Sequence, residues 1–156
     1  MIPKSILQAL QNLLQDRITT KSEVLALHSN DLSWHEAHAP DAVCFPINNE
    51  EVAEIVNICN THKIPIIPYG TGTSLEGHIL AVKGGITLKL SRMNRILGFN
   101  EIDQDCTVQA GVTKFQLNNF LKDKGLFFAA GPGIDASIGG MMATGASGAN
   151  AVMYGT

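Results

Sequence analysis

The sequence predicts an α+β fold of two subdomains, a small parallel βαβ unit followed by a partly antiparallel one. Three observations carry this expectation. Ala42 to Pro68 reads as strand, helix and strand within 27 residues, a spacing that implies parallel strands and a right-handed crossover. Three further strand-like runs follow Gly85, and the last two flank a polar turn, as an antiparallel hairpin would. Two glycine-rich segments punctuate the chain, the first of them directly after a strand.

The elements follow in order. Ser5 to Ile18 carries Ile6, Leu7, Leu10, Leu13, Leu14 and Ile18 at helical spacing. Thr19 to Pro40 is mixed and polar, read as a short helix and a loop. Ala42 to Pro46 is a short apolar strand. Asn48 stands three residues before Glu51 in a capping-box pattern, and Val52, Ile55, Val56 and Cys59 share one face of the helix that runs on to His62. Ile64 to Pro68 is a buried strand whose prolines restrict it to a sheet edge or a strand end. Gly85 to Leu90, Ile96 to Phe99 and Cys106 to Ala110 are the later strands, with Asp103-Gln104-Asp105 as the turn. Thr113 is an N-cap candidate for a helix through Phe115, Leu117, Phe120 and Leu121, which Gly125 closes as the C′ residue.

Composition narrows the function. The chain has 156 residues, 45% of them apolar, and a net charge of −3. That size fits one globular domain. No basic run appears, which argues against a nucleic-acid partner. Cys44, Cys59 and Cys106 lie far apart without paired spacing, so they read as buried thiols in a reducing compartment. No secretory signal is visible, and no uncharged apolar stretch of about 18 residues suits a membrane span, since the uncharged tail is broken by glycine throughout. A cytoplasmic chain is expected, peripheral to a membrane at most. The sequence ends at Tyr154-Gly155-Thr156 inside a glycine-rich segment, and so reads as a fragment of a longer enzyme.

The glycine-rich segments are the functional signal. Gly125 to Thr156 holds eight glycines, seven alanines and a single charge, Asp135. Small uncharged residues suit places where backbone comes close to a flat or phosphorylated group, or to another backbone. The earlier loop, Gly70-Thr71-Gly72-Thr73-Ser74, has Leu75 where a Rossmann fingerprint needs glycine and lacks the lysine of a Walker A loop. It keeps the means of holding phosphate, because alternating glycines let successive N–H groups share one concavity beside hydroxyl donors. Two such segments predict one extended, phosphate-bearing ligand. A tight turn between strands for the first, and a small-residue helix or loop packed tightly against a partner element for the second, are the competing readings. A serine-hydrolase elbow at Ser147 fails on spacing.

From about Asp41 onward the chain resembles the FAD-binding domain of the vanillyl-alcohol-oxidase and p-cresol-methylhydroxylase superfamily. Within it, it looks closest to D-lactate dehydrogenases and the glycolate-oxidase flavoprotein subunit. The carrying motifs are Ile66-Ile67-Pro68-Tyr69-Gly70-Thr71-Gly72-Thr73-Ser74-Leu75-Glu76-Gly77-His78, Leu90 to Ile96, and Ile138-Gly139-Gly140 through Ala146-Ser147-Gly148 to Tyr154-Gly155-Thr156.

The resemblance implies a FAD-binding type-4-like fold, incomplete here, over residues 41–156, preceded by an N-terminal helical segment over 1–40. It implies non-covalent FAD. Pro68, Tyr69, Gly70, Thr71, Gly72, Thr73, Ser74 and Leu75 would wrap its pyrophosphate. Pro132, Gly133, Ser137, Ile138 and Gly140 would flank the cofactor, while Thr144, Ser147 and Gly148 would approach the flavin and pyrophosphate side. Gly145 and Met153 depart from the asparagine and arginine frequent in relatives. The parent enzyme would oxidise a D-2-hydroxy acid, D-lactate or glycolate, and pass electrons to a cytochrome or quinone. The catalytic base, metal ligands and carboxylate clamp would lie beyond Thr156.

No catalytic or metal residue is assigned within the chain. His35 and His38 are a spaced pair that reads as solvated surface, Trp34 as a packing or interface residue, and His78 as a hydrogen-bonding loop histidine. Two other functions stay open: a catalytically silent nucleotide-binding module, and a superfamily flavoenzyme without net oxidation.

Overall fold

A computed structural model describes residues 2–155; Met1 and Thr156, the ends of the ranges assigned above, lie outside the described residues. The chain divides into two compact units, the first ending at Arg92 and the second starting at Met93.

The first unit is built on a four-stranded mixed sheet with the order β1-β2-β4-β3. Its strands are β1 (Ile18–Thr19), β2 (Ala42–Cys44), β3 (Ile66–Tyr69) and β4 (Ile86–Lys89). β2 and β3 both pair with β4 in parallel, and β1 runs antiparallel to β2. Helices α1 (Lys4–Leu14) and α3 (Asn49–Thr61) pack against the sheet, with Ile6, Leu10, Leu14, Ile55 and Cys59 meeting Ala42, Cys44, Ile86 and Leu88. Strand side chains alternate between faces, so Val43, Ile67, Tyr69, Thr87 and Lys89 lie on the other side. Ile79 and Ala81 cluster there with Ile67 and Tyr69.

Three expectations change. The predicted first helix stops at Leu14, and Ile18 pairs with Cys44 as a strand instead. The crossover through α3 does not place β2 beside β3, because β4 enters between them. β4 therefore belongs to the parallel unit, not to the antiparallel one its position in the sequence suggested. It is buried from Ile86 through Leu88, as a central strand must be. The prolines do keep β3 at the edge, with Pro68 exposed.

Asn48 caps α3 as expected, accepting the Glu51 N–H at 2.8 Å. The reciprocal half of the box is absent. Glu51 instead accepts from the Ile47 N–H at 3.0 Å and binds Arg17 through both carboxylate oxygens. That pair ties the α1–β1 connection to the start of α3.

The second unit holds the expected antiparallel hairpin, β5 (Ile96–Asn100) and β6 (Asp105–Val108), with a bulge near Gly98. Helix α4 (Lys114–Lys122) is capped by Thr113, whose hydroxyl accepts the Gln116 N–H at 3.2 Å. Its core joins Val112, Leu117, Leu121, Ala136, Ile138 and Met141. The small-residue segment contains two short helices, α5 (Ile138–Thr144) and α6 (Ala151–Tyr154), the helical form of the small-residue packing weighed above as a competing reading. Helix formation tolerates Gly139 and Gly140 because Ser137 caps the start, and tertiary packing overrides propensity.

Candidate functional site

The loop after β3 leaves the carboxyl end of a parallel strand, where open α/β sheets bind their ligands. Among the described residues, the N–H groups of Thr71, Gly72, Thr73, Ser74 and Leu75 donate no hydrogen bond to protein. None of these five residues is buried, so their N–H groups are accessible, and successive free N–H groups beside a left-handed glycine form a concavity that suits an anionic ligand. Gly72 has φ +78, and a Cβ there would lie 2.2 Å from the Tyr69 hydroxyl. The cradle thus exists only because that position is glycine.

Tyr69 forms the floor of the loop. It is 7% exposed, and its ring meets His28 edge-on at 4.7 Å. Lys89, paired with Tyr69 in the sheet register, places its Nζ 4.3 Å from the centre of that ring. The same Nζ donates to the Gly70 carbonyl at 2.8 Å. Burial holds the Lys89 ammonium below its ordinary pKa and lowers that of His28, whose Nδ1 lies 2.8 Å from the Val24 carbonyl. Burial, with Asp31 nearby, raises the Tyr69 phenol.

The far half of the loop is tied to the segment after α2 (Ser22–Leu27). Asp31 accepts the Gly77 N–H at 2.9 Å, and Leu32 donates to the Ser74 carbonyl at 3.2 Å. Asp31 also accepts from the Ser33 N–H and hydroxyl. These hydrogen bonds, with that of Ser74, outweigh desolvation and hold its carboxyl below the usual range. Ser74 Oγ and His78 Nδ1 are 3.1 Å apart, the hydrogen bond expected of that histidine. His35 and His38 share no helix, since their segment is irregular; His35 packs on Gly77. Trp34 is 90% exposed, its ring 4.7 Å from that of His35.

In the second unit the glycines of the small-residue segment divide by function. Gly139 presses on the Ala110 backbone, where a Cβ would fall 2.8 Å from the carbonyl oxygen. Gly148 closes on the Gly131 carbonyl in the same manner. Gly133 and Gly145 meet nothing within 4 Å. Ser137 is buried with its hydroxyl accepting the Gly140 N–H, and Thr144 donates back to the Gly140 carbonyl at 3.0 Å. Gly133, Gly140, Thr144 and Ser147 are exposed, Pro132 and Gly148 partly so, and Ile138 is buried. Lys114 Nζ lies 3.5 and 3.4 Å from the carbonyls of Gly131 and Pro132.

Sequence reasoning missed Lys89, His28, Asp31 and Lys114. Only the alternation of β4, which puts Lys89 on the same face as Thr87, carried a local signal for any of them.

The family described as FAD binding domain matches residues 40–156. The chain is 44% identical over 157 aligned residues to a D-lactate dehydrogenase [cytochrome], mitochondrial, of Arabidopsis thaliana, covering 99% of this chain and 28% of that protein. It is 46% identical to a probable D-lactate dehydrogenase, mitochondrial, of Danio rerio, covering 89% of this chain and 28% of that one. The chain therefore spans about 28% of the length of these relatives. Among solved structures, an alkyldihydroxyacetonephosphate synthase superposes with a TM-score of 0.91 at 23% identity, covering 99% of this chain and 31% of that one. That likeness shows the fold.

Proposed function

The chain belongs to the FAD-binding domain family, and on that premise we propose that it is the FAD-binding portion of an enzyme that oxidises a D-2-hydroxy acid of D-lactate or glycolate type. The observation that carries the reading is the run of undonated N–H groups from Thr71 to Leu75 above Tyr69. FAD, when bound, supplies the acceptor of the substrate's Cα hydride at flavin N5.

The chain's own residues do the holding. Pro68 and Tyr69 set the loop, and Gly70 to Leu75 present N–H groups to the pyrophosphate, each charge-assisted hydrogen bond contributing roughly 1.5–3 kcal/mol. Pro132, Gly133, Ser137, Ile138 and Gly140 flank the cofactor, with Thr144, Ser147 and Gly148 towards the flavin and pyrophosphate. FAD is held non-covalently, and residues 41–156 are its partial domain behind the 1–40 helical segment. The general base and carboxylate clamp belong to the rest of the parent enzyme, so this chain alone turns over no hydroxy acid. Electrons leave to a cytochrome or quinone.

All three cysteines are unpaired thiols, and burial pushes Cys44 up to about 12. Both relatives are named mitochondrial, whereas a cytoplasmic location, peripheral to a membrane at most, is the reading proposed for this chain. Among the described residues no helix is long and apolar enough to cross a membrane.

Titration of the purified chain with FAD, followed by flavin fluorescence, tests the reading. Saturable binding is expected. A chain that binds ADP but not FAD would instead be a silent nucleotide-binding module, and measurable D-lactate oxidation with a dye acceptor would contradict the division of labour.

A further inference from the structure

We propose that Lys89 is a positioning residue of the glycine-rich loop: its ammonium holds the Gly70 carbonyl inward, which turns the following N–H groups outward, and it supplies positive charge beneath the anion they bind. The second half of this inference rests on the FAD reading above.

The geometry is specific. Lys89 ends β4 and Tyr69 ends β3, and the two are register partners. The lysine stem lies on the face of the sheet that holds Thr87, Ile67 and Tyr69, so its head reaches the loop from below. Nζ then has two partners, the Gly70 carbonyl at 2.8 Å and the Tyr69 ring at 4.3 Å. Both are uncharged. Among the described residues no carboxylate pairs with Lys89.

A half-buried ammonium without a counter-ion is costly. Its retention would be compensated if an anion arrives above it. Fixing Gly70 O also fixes the orientation of the next peptide, because the carbonyl of Gly70 and the N–H of Thr71 point in opposite directions across one planar unit. One contact thereby sets the direction in which the cradle begins. The tyrosine ring completes the device: it stacks under the lysine and occupies the space that a side chain at residue 72 would need.

The test uses the chain with Lys89→Met, which keeps the stem, and Lys89→Arg, which keeps the charge. Each is titrated with FAD and separately with inorganic pyrophosphate, at low and moderate salt, and unfolded thermally without ligand. Lys89→Met should weaken both ligands roughly tenfold and flatten their salt dependence. Its ligand-free midpoint should change little, since loss of the hydrogen bond to Gly70 and of the cation–π contact is offset by removal of a half-buried charge that has no counter-ion. Lys89→Arg should recover most of the affinity. A Lys89→Met protein with wild-type affinity for pyrophosphate overturns the proposal. So does a loss of affinity matched by a fall in the ligand-free midpoint and not restored by arginine. If the wild-type chain binds pyrophosphate but not FAD, the FAD reading fails while Lys89 is still judged on pyrophosphate; binding of neither overturns both.

Discussion

Gly72→Ala is the perturbation on which the account of the loop depends. Two costs add. At φ +78 an alanine adopts a left-handed backbone, which costs roughly 1–2 kcal/mol. Its Cβ would also stand 2.2 Å from the Tyr69 hydroxyl and 2.8 Å from the ring carbon bearing it, so the ring must move. Tyr69 is 7% exposed and held by His28 and Lys89, which makes the movement expensive. Losing the cation–π contact alone costs about 0.5–1 kcal/mol. The total expected is about 1.5–3 kcal/mol of stability, with a larger fractional loss of FAD affinity, because the cradle distorts where it binds. Urea unfolding measures the first and FAD titration the second. Gly133→Ala is the control: its Cβ meets nothing within 4 Å, and it should change stability by less than about 0.5 kcal/mol. Adding Tyr69→Phe to Gly72→Ala removes the nearest clashing atom and should recover part of the loss. A Gly72→Ala protein as stable as Gly133→Ala, with unchanged FAD affinity, would refute the reasoning.

Three further outcomes follow from the packing and the titrating groups. Gly139→Ala should destabilise by about 1–3 kcal/mol despite better helix propensity, since its Cβ meets the Ala110 backbone, whereas exposed Gly140→Ala should cost less; paired urea curves decide it. Thr87→Val should stabilise the first unit by about 1 kcal/mol, because the buried Thr87 hydroxyl has no hydrogen-bond partner; an unchanged or lower urea midpoint would contradict this. Burial depresses the His28 pKa, so the unfolded chain binds that proton more readily than the folded one. Stability should be complete above about pH 6.5 and fall as pH drops below it, and His28→Gln should flatten that limb in urea curves run from pH 7 to pH 5.

Much of this protein was legible locally. The period of Val52, Ile55 and Cys59, the caps at Asn48 and Thr113, the polar turn before Cys106 and the glycine alternation at residues 70–72 each depend on neighbours within a few residues, and each reports a local backbone preference. The family followed from the same short motifs. What remained hidden involved partners distant in sequence. β4 slips between β2 and β3, and Ile18 leaves its helix for a sheet edge, because strand order is set by which surfaces bury best together and leaves no periodic trace. Lys89 beneath Gly70, and Asp31 on the Gly77 N–H, are contacts between segments 19 and 46 residues apart. A lysine at the end of a strand and an aspartate in a polar loop look solvated until the sheet register and the chain path bring them under the same loop. The chemistry of the cradle was written in its glycines. The charge beneath it and the strap across it were decided by tertiary structure, since long-range pairing is selected by total burial and hydrogen-bond satisfaction over the whole unit.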